Sequence, residues 1–157
     1  VELGADRVAD AVAAKAIFGA PVVVVDFGTA TNMEVIDKDG VFVGGVIAPG
    51  VESSMRSLMS RAALLRAVEL EDPGVAIGRD SSEAIQIGVV SGEAARVDGL
   101  VERIQAELGY KTKVVATGGL AHRIAPLSHT ITEVDVELTL QGLRLIYNEL
   151  KKCDNQR

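Results

Sequence analysis

The sequence holds 157 residues, 48% hydrophobic, 24% charged and 3% aromatic, with a formal net charge of −6. That length fits one domain, or one lobe with part of another; the apolar content excludes a disordered chain, and no apolar run nears the ~20 residues of a membrane helix. The acidic balance argues against a nucleic-acid partner, and the single cysteine, Cys153, excludes an internal disulfide framework and suits a cytoplasmic location.

In chain order, Asp6 reads as a helix cap, with Val8, Val12 and Ala16 on one stripe and Gly19 and Pro21 closing the helix. Three β-branched runs follow, Val22 to Asp26, Asn32 to Ile36 and Val41 to Ile47, and the second link, Asp37-Lys38-Asp39-Gly40, carries a hairpin signal. A three-stranded antiparallel meander is expected. After Pro49-Gly50, a helical face is formed by Val51, Met55, Leu58, Met59, Ala62 and Leu65, with Arg56, Arg61 and Arg66 off it. Residues 66–79 read as a surface connection with room for a short strand. Asp80 and Glu83 form a capping box that opens one helix running to Leu108, with Gly109 as its stop. A row of small residues, Gly88, Gly92, Ala95 and Gly99, predicts close approach of another backbone, from the chain's own sheet or from a partner subunit. Lys113 to Thr117 reads as a strand, Gly118-Gly119 as a turn, Leu120 to Ile124 as a short helix, Ile131 to Val134 as a strand and Leu138 to Lys151 as a closing helix. The alternation makes this an α/β protein.

Three places could carry chemistry. In Asp26-Phe27-Gly28-Thr29-Ala30-Thr31, Gly28 admits a close ligand, Thr29 and Thr31 offer donors for a phosphate and Asp26 could hold a metal or its water; the same residues also suit a plain hairpin turn. Thr117-Gly118-Gly119 bares backbone at the carboxyl end of a strand, where α/β proteins bind ligands, although packing alone also yields such turns. In Gly4-Ala5-Asp6-Arg7, Asp6 is either a helix cap or a base beside a cation that orients an acidic substrate. His122 and His129 have no partner at metal-ligand spacing and read as surface residues.

Taken together, Gly4-Ala5-Asp6-Arg7, Asp26 to Thr31, Gly44-Gly45-Val46-Ile47-Ala48-Pro49-Gly50 and Ala116-Thr117-Gly118-Gly119-Leu120 closely resemble the type III pantothenate kinases, as does Leu138 to Leu143. The resemblance implies a ribonuclease H-like, actin-type ATPase lobe of the acetate kinase, sugar kinase, Hsp70 and actin superfamily. It implies that residues 1–20 hold the last helix of an N-terminal lobe and residues 21–157 the C-terminal lobe. It assigns the base role to Asp6, the pantothenate site to Gly4, Ala5, Asp6, Arg7 and Ser81, ATP contacts to Gly28, Thr29, Thr31, Gly118 and Gly119, and a cation to Asp26. ATP, Mg²⁺ and a monovalent cation (K⁺ or NH₄⁺) are the implied cofactors, pantothenate the co-substrate and a homodimer the implied assembly.

Two departures accompany the resemblance. Ser81 stands where the family has Thr, and Asn32 and Glu34 stand where Thr and Asp are more usual. No Asp-x-Gly-Asn-Thr turn, the family's first phosphate site, occurs in the chain, so a missing N-terminal segment is expected, along with inactivity of these residues alone. Other readings are a non-catalytic regulator on the same fold and an exopolyphosphatase-like hydrolase.

Overall fold

Val22 to Val25 is an apolar run without polar interruption, which suits a strand covered on both faces. In the computed structural model, which describes residues 4–61 and 68–154, that run is the centre of the sheet. Strand β1 (Val22–Phe27) pairs antiparallel with β2 (Ala30–Ile36) and parallel with β4 (Lys113–Thr117). Strand β2 pairs antiparallel with β3 (Phe42–Pro49), and β4 pairs parallel with β5 (Glu133–Val134), giving the order β3-β2-β1-β4-β5. Val22, Val23, Val24 and Val25 are fully buried, each contributing roughly 1.5–3 kcal/mol.

The expected meander is present, and the Asp-Gly link closes its second hairpin. Asp37 Oδ1 accepts from the Asp39 and Val41 amides, both at 2.9 Å, and Gly40 takes φ +75°. Strand β5 is shorter than the expected 131–134, because the Thr132 hydroxyl takes the Val114 amide at 3.3 Å. The sheet proper therefore resumes at Glu133.

Helices cover both faces. On one, α1 (Ala5–Phe18) and α6 (Leu138–Asp154) bury Ala13, Ala14 and Leu138 against Val22, Val24, Ile36 and Val115. The two helices touch at backbone level, since a Cβ on Gly142 would lie 2.0 Å from the Ala9 carbonyl oxygen. On the other, α4 (Gly92–Leu108) brings Ala94, Val97 and Val101 onto Val23, Val25, Phe27, Met33 and Val35.

Three expectations change here. The helix from residue 80 to 108 is not continuous: α3 (Ser81–Gln86) passes into a π-helical turn, Ile87–Ser91, before α4. Ile85 and Val90 are both buried although five residues apart. A straight α-helix would rotate that step by roughly 140°, whereas the wider π turn keeps both on the core side. The small-residue row does not pack on the chain's own sheet, because a Cβ on Gly88 or Gly99 would meet nothing within 4 Å. Helix α2 (Val51–Arg61) follows Gly50 as expected; Ala62, Leu65 and Arg66 lie outside the described residues. No strand forms within 68–79, where Pro73 and the positive φ of Gly74 break regular pairing. Helix α5 (Ala121–Ile124) and a 3₁₀ turn at Ala125–Leu127 link β4 to β5. Among the described residues, no helix is long and apolar enough to cross a membrane.

Candidate active site

Strand alternation places Asp26 and Glu34 on the face of the sheet covered by α1, together with Val22, Val24 and Ile36. Helix α1 begins at Ala5, with Gly4 as its cap, so Asp6 lies inside the first turn and is not itself the cap. Its carboxylate instead accepts from the Arg7 amide at 2.8 Å. A Cβ on Gly4 would stand 2.5 Å from Asp6 Oδ1, so glycine leaves the carboxylate its room. One turn further on, Asp10 is buried and accepts from the Thr139 hydroxyl of α6 at 2.6 Å.

Four carboxylates, Asp6, Asp10, Asp26 and Glu34, thus lie on one side of the sheet beside the Arg7 guanidinium, whose Nε donates to Glu34 Oε1 at 2.7 Å. The electrostatic result is an excess of negative charge in a partly dry place. Burial pushes Asp10 up to about 6 against the Thr139 hydrogen bond, with Asp26 and Asp6 adding to the rise. Burial also raises Glu34 to about 7, although the Arg7 hydrogen bond and charge pull it down. Asp26 is raised by burial and then by the Asp6 charge.

The first and second predicted places meet at Asp26. Gly118 has φ +88°, and a Cβ there would stand 2.4 Å from Asp26 Oδ1 and 2.7 Å from the Phe27 carbonyl oxygen. Only a glycine lets the β4 turn lie against the β1 turn in this way. Thr117 is registered opposite Asp26 on the parallel strand, and its buried hydroxyl has no hydrogen-bond partner among the described residues.

Beyond these turns opens a cleft of about 350 Å³ lined by Phe27, Gly28, Thr29, Gly119 and Leu120 and by Glu52, Ser53 and Arg56 of α2. The Ser53 hydroxyl donates to the Thr29 carbonyl at 2.8 Å and the Gly50 amide to the same oxygen at 3.2 Å. These bonds seat the amino end of α2, whose partial positive charge favours anions, beside the Gly28-Thr29 turn. Bare glycine backbone, a helix amino end and Arg56 suit a phosphate chain.

One predicted site residue stands apart from Asp26, and another opens a different helix. Thr31 is on the opposite face of the sheet, 1% exposed, with its hydroxyl donated to Glu93 Oε1 at 2.7 Å; Arg96 completes that network by pairing with Glu93 and donating to the Pro49 carbonyl at 2.8 Å. Ser81 opens α3, exposed, behind the Asp80 cap, where the Glu83 amide donates to Asp80 at 3.0 Å and Glu83 accepts from the Arg79 amide at 2.8 Å. No hydrogen bond joins Ser81 to the Asp6 group among the described residues. His129 is exposed as expected, yet its ring meets Asp98 at 2.8 Å and Glu102 at 3.0 Å, partners brought from α4 by the fold. Asp10, Arg56 and the Thr117 hydroxyl are the participants that the sequence did not single out. Asp10 is four residues after Asp6 on the same helix face, and that spacing is the signal that would have found it.

Comparison with known proteins shows the family of the chain. The family model described as type III pantothenate kinase matches residues 1–103. The chain belongs to the type III pantothenate kinase family. A type III pantothenate kinase of Thermomicrobium roseum is 49% identical over 96% of this chain and 58% of its own length. One from Roseiflexus sp. is 52% identical over 93% of this chain and 57% of its own. The pantothenate kinase relatives are thus longer, and the chain spans somewhat more than half of each. Among solved structures, a Campylobacter jejuni protein described as a Baf family transcriptional activator superposes with a TM-score of 0.65 at 25% identity, covering 96% of this chain and 66% of that one. The Clostridium difficile activator of 2-hydroxyisocaproyl-CoA dehydratase, solved with bound ADPNP, superposes at 0.64 with 17% identity over 97% of this chain and 69% of that one. The fold is that of an actin-type ATPase lobe, as the motifs implied.

Proposed function

We propose that the complete protein transfers the γ-phosphoryl group of ATP to the primary hydroxyl of pantothenate, the opening step of coenzyme A synthesis, in the cytoplasm. The observation that carries this reading is the meeting of Asp6, Asp26 and Gly118 at one end of the sheet, in a chain of this family. Asp6, exposed and steadied by the Arg7 amide, takes the proton of the substrate hydroxyl. Gly4, Ala5, Arg7 and Ser81 line the pantothenate site, with Arg7 orienting the acid. Gly28, Thr29, Gly118 and Gly119 carry the nucleotide, with Arg56 beside its phosphates; Thr31 supports them from behind by fixing β2 to α4.

The donors near Asp26 fit a hard cation: a carboxylate burdened by neighbouring negative charge and an unpartnered Thr117 hydroxyl. No group of three or more His, Cys, Asp or Glu residues forms a metal cage among the described residues. That suits Mg²⁺ held largely by phosphates and water, and a monovalent cation at Asp26. Such cations would offset phosphate charge as it shifts to the leaving group. The chain supplies the lobe of residues 21–157 and, within residues 1–20, the last helix of the other lobe, while a further segment of the complete protein brings the first phosphate turn. The complete enzyme works as a homodimer, a state that light scattering reads directly.

One assay tests the reading: ADP release from Mg²⁺-ATP by the complete protein with and without pantothenate. Release that depends on pantothenate is the expected result. Phosphate release independent of it would replace the kinase by a hydrolase, and no turnover would replace it by a regulator.

A further inference from the structure

The Arg7 guanidinium is held from three sides. Its Nε donates to Glu34 at 2.7 Å, the Phe42 ring lies with its centroid 5.8 Å from Cζ, and Gly45 approaches so closely that a Cβ there would stand 2.7 Å from Nη2. Its two terminal NH₂ groups have no hydrogen-bond acceptor among the described residues, so their donors are available to a ligand. Glu34 is an unusual residue to find in that place. Its side chain is fully buried, the second oxygen, Oε2, has no partner among the described residues, and Asp10 and Asp26 lie near enough to disfavour its charge. A buried ion pair of this kind adds little to stability compared with apolar packing, so its value lies in the geometry that it imposes.

We propose that Glu34 is a positioning residue for pantothenate binding: it fixes the Arg7 guanidinium against Phe42 and Gly45, turning the free NH₂ edge to the substrate and keeping the cation off Asp6. The inference rests on the proposed kinase reading, in which Arg7 lies beside the acid. Without the Glu34 carboxylate, a flexible arginine surrounded by Asp6, Asp10 and Asp26 would pair with one of them. The substrate would lose its cation and Asp6 would lose basicity.

The test uses the complete enzyme and separates the two substrates. For Glu34→Gln, the KM for pantothenate is expected to rise about tenfold, the scale of one charge-assisted hydrogen bond, with the KM for ATP within about twofold. Arg7→Lys removes the Nε donor, so adding Glu34→Gln in that background is expected to change the pantothenate KM no further. An unchanged pantothenate KM, an equal rise for both substrates, or a full effect persisting in the Arg7→Lys background would overturn the role. If Glu34→Gln does not fold, Phe42→Leu takes its place: a severalfold rise in the pantothenate KM alone supports the clamp, and no rise overturns it. A wild-type enzyme inactive on pantothenate would instead defeat the kinase reading itself, and the inference with it.

Discussion

The two faces of the central sheet handle buried polar groups in opposite ways. Under α4, the buried carboxylates are paired: Thr31 donates to Glu93, Glu93 pairs with Arg96, and Asp98 accepts from Ser128, Thr130 and the His129 amide, with Arg96 Nε alone left without a partner among the described residues. Partial burial pushes the Asp98 carboxyl up, but those hydroxyls and amides outweigh it and hold its pKa low. Under α1, Asp10, Asp26 and Glu34 are all raised, and Glu34 Oε2 and the Thr117 hydroxyl lack partners among the described residues. A polar group closed within the protein makes a face sturdy, while one left open by the protein is available to a ligand. The sturdy face thus serves as the mount on which the face of the candidate site is carried.

The strongest break in this contrast is Asp6→Asn. Removing the proposed general base from the complete enzyme should lower turnover by about 10²–10⁴-fold, with ATP binding retained by calorimetry; unchanged turnover would end its role as base. Next is Gly118→Ala, which forces an L-residue to φ +88° and a methyl onto Asp26 and Phe27. The backbone strain alone is about 1–2 kcal/mol, and displacement of the turn adds to it. Thermal melting and the ATP KM should both deteriorate. On the opposite face, Thr31→Val strips Glu93 of a donor and should cost about 1–3 kcal/mol in denaturant unfolding. A raised ATP KM with no loss of stability would return Thr31 to the nucleotide site.

The mildest perturbation is pH. Asp10 goes from an ordinary value of 3.8 to about 6 and Glu34 from 4.5 to about 7, so the folded state binds more protons than the unfolded one across that window. Their contribution to stability is complete below the unfolded values and is lost as pH rises through the folded ones. Asp10→Asn should flatten the fall of the melting temperature between about pH 4 and 6, and an unchanged slope would show that Asp10 does not titrate there.

Much of this was legible in the sequence because it is local. The valine run, the Asp37 to Gly40 hairpin and the Asp80 to Glu83 cap each depend on residues within a few positions, and the structure has all of them. The π turn was hidden because apolar stepping looks continuous until Ile85 and Val90 must share one core. Thr29 and Thr31 look alike in a motif, yet the alternation of Thr31 with Met33 and Val35 already assigns Thr31 to the core face. The pairings of Arg7 with Glu34 and of His129 with Asp98 and Glu102 cross between elements, and no local pattern encodes them.

The bond from Thr139 to Asp10 joins residues 129 positions apart, and Gly142 rests on the Ala9 carbonyl beside it. During synthesis, the helix bearing Asp6 and Arg7 therefore leaves the ribosome well before α6, which completes its cover. Until then Asp10 lacks its hydroxyl partner and α1 lacks its cover. The end of α1 that carries Asp6 and Arg7 is thus completed late, and a chain cut short before α6 would carry Gly4 to Arg7, Asp26 to Thr31 and Thr117 to Gly119 with α1 only partly covered.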